Sequence, residues 1–155
     1  MLDETVKAYI DKSVLCWLAT TDGACPSVSP KQIFTYYGND TIIIANIASP
    51  QSMKNIKKNS NVCVSFVDVF VQKGFQIYGV AHKCKPSLDT ASDSGQEKLA
   101  ILQKLAGAKL PFASFTNIDI TKVKPILAPS YRMRKDITEE EMIEDALKDY
   151  GVMRR

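Results

Sequence analysis

The links between the first apolar runs of this sequence are hairpin-length, and that restricts the fold more than any other feature. Val14 to Thr20 is a continuous apolar run, Asp22-Gly23 follows it as a turn signal, and a second run spans Cys25 to Tyr36. Gly38-Asn39-Asp40 turns the chain again before the β-branched stretch Thr41 to Asn46. Parallel neighbours need a crossover of roughly a dozen residues, so these strands are expected to pair antiparallel. Asn61 to Phe70 and Phe75 to Lys85 read as a fourth and fifth strand joined around Lys73-Gly74, and a sixth lies within Ala113 to Ile126.

Short helices interrupt the strands. Asp3 can cap a first one, with Leu2, Val6, Tyr9 and Ile10 at helical spacing. Ser49-Pro50 opens a second, with Met53 and Ile56 inward and an end near Asn59. Ser94 and Glu97 have capping-box spacing ahead of Leu99, Leu102, Leu105 and Ala106, closed by Gly107. Thr138 and Glu141 repeat that spacing before a C-terminal helix at about 138–150, stopped by Gly151. Six strands and short flanking helices give an α+β class, and residues 1–155 read as one domain. The unbroken apolar run predicts a first strand buried on both faces, with Leu15, Cys16 and Trp17 in the core.

Charge and composition exclude several functions. Lys and Arg number 20 against 17 Asp and Glu, a net +3 without the clustered basic face that nucleic acid requires. The start, Met1-Leu2-Asp3-Glu4-Thr5, is acidic and leads into no apolar leader, so no secretory signal is expected. The longest apolar stretch, Val14 to Ala19, falls far short of the ~20 residues that cross a bilayer. Cys16, Cys25, Cys63 and Cys84 lie far apart and are expected to be reduced and mostly buried, which places the chain in the cytoplasm. His82 is the only histidine, so no catalytic triad or metal site needing two can form. His82 and Cys84 share one strand face but are too few for a metal. There is no P-loop and no G-x-G-x-x-G. No catalytic residue and no metal is assigned.

Two segments carry information about a ligand. From Asn46 to Asn55 a strand ends, small residues turn, and a helix opens with Ser49-Pro50-Gln51-Ser52. A helix N-terminus offers unpaired N–H groups and partial positive charge, which suits an anion. Read alone, Ser49 serves as a cap and Ser52 is solvated. The second segment is Pro26-Ser27-Val28-Ser29-Pro30-Lys31, a poor sheet former that suits either a blunted edge or a strand whose backbone meets a flat polar ligand.

In order and spacing these pieces resemble the FMN-binding split-barrel family related to pyridoxamine 5'-phosphate oxidase. The likeness runs through Leu18-Ala19-Thr20-Thr21-Asp22-Gly23, Pro26 to Lys31 and Ile44-Ala45-Asn46. It continues through Ser52-Met53-Lys54-Asn55-Ile56, with Asn59 and Val62, and Phe75-Gln76-Ile77-Tyr78-Gly79-Val80-Ala81, covering roughly residues 10 to 125. It implies a six-stranded antiparallel split β-barrel and a homodimer holding FMN at its interface. It also implies ring and ribityl contacts from Val28, Ser29, Pro30 and Lys31, phosphate contacts from Asn46, Ser49, Gln51 and Ser52, and a reach by Lys73 of the other chain.

Two departures qualify what the resemblance implies. Gln51 stands where relatives often carry Lys or Arg, so phosphate charge falls to Lys31, Lys54 or the helix end. The ending Tyr150-Gly151-Val152-Met153-Arg154-Arg155 lacks the arginine-rich motif of true pyridoxamine phosphate oxidases, whose vitamin-salvage activity is not expected here. A flavin oxidoreductase or electron carrier is the leading expectation. A barrel holding haem or a deazaflavin without catalysis, or a structural dimer with a vestigial site, is the alternative.

Overall fold

The computed structural model describes residues 1–85, 93–107, 111–112 and 114–154. Seven strands form one antiparallel sheet: β1 (Cys16–Thr21), β2 (Pro26–Lys31), β3 (Phe34–Tyr37), β4 (Thr41–Ala45), β5 (Asn61–Asp68), β6 (Lys73–Cys84) and β7 (Phe115–Leu127). Their spatial order is β2-β1-β5-β6-β7-β4-β3. The helices are α1 (Glu4–Lys12), α2 (Pro50–Lys58), α3 (Asp93–Ala106), α4 (Ser130–Met133) and α5 (Glu139–Tyr150). This is the α+β antiparallel architecture that the short links imply, with one strand more than the six expected.

The extra strand comes from the run Cys25 to Tyr36, which divides at Gln32-Ile33. Lys31 still pairs with Cys16 of β1, whereas Phe34 already pairs with Ile44 of β4. β2 and β3, which carry Lys31 and Phe34, are the two opposite edges of the sheet. Seven strands laid flat would separate the edges by about 29 Å, at ~4.8 Å per neighbour. Three Cα steps from Lys31 to Phe34 span at most about 11 Å. The sheet therefore curls until its edges are adjacent. The Phe34 and Phe66 rings, from β3 and β5, meet with centroids 6.2 Å apart inside the curl.

Apolar residues of alternate strand positions fill that curl, and α1 plugs it with Val6 and Ile10, joined by Leu2 just ahead of the helix. Asp3 caps α1 by accepting the Val6 N–H at 2.9 Å. Prolines sit where a strand can tolerate them: β2 is an edge, so Pro26 and Pro30 remove no interior ladder bond.

Three expectations need correction. β1 is buried on one face only: Cys16 and Leu18 are fully buried, but Trp17 is 47% exposed and Val14 77%. Among the described residues no element covers that side of β1. The strand that is buried on both faces is β4, because α3 lays Leu102 against Ile43, Ala45 and Phe115 while Ile42 and Ile44 join the main core. Among the cysteines only Cys16 is buried; Cys25 is exposed, and Cys63 and Cys84 are half-buried. Helix α3 begins at Asp93, which puts Ser94 inside it instead of at its cap. Ala113, where the sixth expected strand was to begin, lies outside the described residues.

The C-terminal capping box is present. Thr138 Oγ1 accepts from Glu141 N at 3.2 Å, Glu141 Oε2 accepts from Thr138 N at 2.8 Å, and Gly151 ends α5 at φ 64°. The segment docks on the β5–β6 hairpin, where Tyr131 Oη donates to the Val71 carbonyl at 2.7 Å and the Phe70 and Tyr150 rings meet edge to face. Among the described residues no helix is long and apolar enough to cross a membrane.

Candidate functional site

Strand β2 alternates in the curled sheet, and the alternation sorts its residues by face. Ser27, Ser29 and Lys31 pair with Thr20, Leu18 and Cys16 and turn inward with them. Pro26, Val28 and Pro30 face the open side beside Thr21, Ala19 and Trp17, and Val28 is 60% exposed there. Lys31 thus ends β2 with its side chain folded into the protein, only 4% exposed.

The Lys31 ammonium donates to Ser49 Oγ at the start of α2. No ion pair reaches it among the described residues. Burial holds its pKa below the ordinary lysine value, and the neighbouring Cys16 only partly opposes that. Cys16 is pushed up to about 12 by its own burial, so it is a neutral thiol at physiological pH and no nucleophile. A buried cation without a carboxylate is unfavourable unless something else supplies negative charge.

Ser49 stands at the N-cap position of α2, but its side chain makes no cap hydrogen bond. Its hydroxyl instead donates to the Ile47 carbonyl at 2.9 Å and accepts from Lys31. Among the described residues the first-turn N–H groups therefore have no side-chain cap, and Pro50 contributes no N–H. Ala48 reaches this geometry in the left-handed region, at φ 49°. Ser52, 2% exposed, lies one turn in on the buried side of the helix.

The other expected residues fall into distinct roles. Gln51 is exposed and gives one amide hydrogen to Asn55 Oδ1 at 2.8 Å. The Asn46 side chain is spent between strands: Nδ2 donates to Ser114 Oγ at 3.1 Å and Oδ1 accepts from Thr116 Oγ1 at 2.8 Å. It shapes the turn into α2 by tying the end of β4 to the start of β7. Lys73 belongs to the β5–β6 hairpin, where it pairs with Glu139 at 2.6 Å and stands 4.4 Å over the Tyr131 ring. Within one chain the structure brings together Lys31, Ser49 and the start of α2, with Val28, Ser29 and Pro30 leading along the edge toward them.

Asn55 and Thr20 join this list from the structure. Asn55 is 2% exposed and donates from Nδ2 to Thr20 Oγ1 at 3.0 Å. Their signal in the sequence is an asparagine on the helix face otherwise occupied by Met53 and Ile56. His82 Nε2 lies 3.2 Å from Asp119 Oδ2, both more than half exposed, and no group of three metal-binding side chains occurs among the described residues. On the open face a shallow depression of about 290 Å³ runs from Pro26 and Ala19 across Cys63 to Tyr78.

The family model described as pyridoxamine 5'-phosphate oxidase matches residues 2–126 of this chain. No curated protein matches it in sequence. Among solved structures it is similar to HupZ of Group A Streptococcus, with a TM-score of 0.66 and 20% identity over 79% of this chain and 92% of that one. It is also similar to an FMN-binding protein from Syntrophomonas wolfei subsp. wolfei, with a TM-score of 0.66 and 15% identity over 81% of this chain and 86% of that one. An F420 reductase superposes with a TM-score of 0.59 and 17% identity over 79% of this chain and 98% of that one.

Proposed function

Because the chain belongs to the pyridoxamine 5'-phosphate oxidase family, we propose that it binds FMN as a homodimer and serves as a flavin-dependent oxidoreductase or electron carrier. The observation that carries this reading is Lys31, a buried ammonium held by a serine hydroxyl at a helix N-terminus. A phosphate monoester supplies the missing negative charge and accepts from several donors at once. Lys31, Ser49, Ser52 and the first-turn N–H groups hold it, with Gln51 offering its remaining amide hydrogen. Val28, Ser29 and Pro30 pass along the ribityl chain and ring, Asn46 fixes the loop between strand and helix, and Lys73 of the second chain approaches the flavin.

Bound FMN supplies hydride or electron transfer, while the protein binds, orients and shields it. Charge stabilisation comes from Lys31 and the α2 dipole. The edge position of β2 leaves backbone groups available to a flat ring, since among the described residues no strand is hydrogen-bonded to one side of it. The second copy is expected on the open face, where Trp17 and Val28 are exposed beside Pro26 and Pro30.

An absorbance spectrum of the freshly purified protein, and of protein incubated with FMN and then desalted, tests the reading. A flavin spectrum that stays with the protein supports it. A haem Soret band would point to the non-catalytic alternative. No retained chromophore after incubation with FMN contradicts it.

A further inference from the structure

We infer that Asn55 and Thr20 are positioning residues for the anion site, a proposal that rests on reading the first turn of α2 as a phosphate site. Asn55 sits in the middle of α2 on the face turned to the sheet, with Ile56 and Ser52 buried around it. Both ends of its amide are engaged: Nδ2 donates to Thr20 Oγ1 at 3.0 Å, and Oδ1 accepts from Gln51 Nε2 at 2.8 Å. Thr20 is itself 4% exposed, on the inner face of β1 opposite Ser27 of β2.

An apolar residue at position 55 would pack against the same core without burying an amide. What the asparagine adds is direction. The apolar contacts of Met53 and Ile56 have no angular preference, so they leave α2 able to rotate about its axis or slide along the sheet. A hydrogen bond into β1 fixes both motions. The same strand pair carries Lys31, since Cys16 of β1 lies opposite it. Anchoring α2 to β1 through Asn55 and Thr20 therefore sets the register between Ser52, the first-turn N–H groups and the Lys31 ammonium. The branch to Gln51 adds a second effect. It holds that amide along the helix and leaves it one hydrogen to offer an anion.

Flavin fluorescence titration with FMN and riboflavin, with thermal stability followed on the same samples, tests the assignment. Thr20→Val keeps the shape and removes the hydroxyl. It is expected to weaken FMN by about three- to tenfold while leaving riboflavin unchanged, and Thr20→Ser is expected to restore wild-type affinity for both. The double variant T20V/N55L replaces both partners with packed apolar groups, which keeps the fold stable should Thr20→Val unfold. It is expected to show the same selective loss of FMN. Equal losses for the two flavins, or no loss in either variant, overturn the inference. Ser52→Ala separates the two levels: a selective loss there with none in T20V/N55L leaves the phosphate site standing and removes only the positioning role. No selectivity in any variant removes the site itself.

Discussion

Lys31 is the residue at which the electrostatics of the site can be read without a ligand. Its folded-state pKa lies below the ordinary value of 10.5 because of burial, so the unfolded chain binds that proton more tightly. The ligand-free protein should therefore gain stability from this group as pH rises from the lowered folded value toward 10.5. FMN affinity should move the opposite way over the same window, because the ammonium that meets the phosphate is being lost. Lys31→Met removes the buried charge and keeps the stem. It should raise the stability of the ligand-free protein by on the order of 1 kcal/mol or more, in urea unfolding, while sharply reducing the preference for FMN over riboflavin. A less stable Lys31→Met protein would mean that the ammonium is satisfied within the chain. That Lys31 ends a proline-blunted strand is visible in the sequence; that it turns inward is not, because one more or one fewer residue of register would send it to solvent.

Among the elements, β6 carries two glycines, Gly74 and Gly79, where a Cβ would run into the backbone of the neighbouring strands. A Cβ on Gly74 would come within 2.1 Å of the Phe66 carbonyl oxygen and 2.7 Å of Val67 Cα, both backbone atoms of the paired strand. Gly74→Ala should accordingly destabilise the protein by about 1–3 kcal/mol in urea unfolding, through strain in the β5–β6 hairpin. An unchanged midpoint would show that the hairpin can open at that point. The elements also show where sequence reading reaches its limit. Capping boxes and turn signals are local, and Asp3, Thr138 with Glu141, and Gly151 act as their spacing implies. Burial is not local. Val14 to Thr20 and Thr41 to Asn46 look alike as apolar runs, yet only the second strand is covered on its outer face, by α3. The split of Cys25 to Tyr36 into two strands likewise follows from closure of the curl, which no short window of residues encodes.

At the scale of the molecule, one side of the curled sheet is packed against α1 and α2, and among the described residues the other is open around β1, β2 and β5. Trp17, the only tryptophan, stands 47% exposed on that open side. If a second copy covers it, Trp17 emission should shift to the blue on assembly and to the red on dilution, in step with the dimer–monomer transition seen by light scattering. A monomer at micromolar concentration that still holds FMN tightly would contradict a site shared between chains. The phosphate is the central claim, and it is tested most directly by titrating the protein with FMN and with riboflavin, which has the same ring and no phosphate. Wild type should prefer FMN, and Ser52→Ala should weaken FMN by about ten- to a hundredfold while leaving riboflavin nearly unchanged, as expected for one lost hydrogen bond to a charged group. Equal affinity of the wild-type protein for the two flavins would contradict the account.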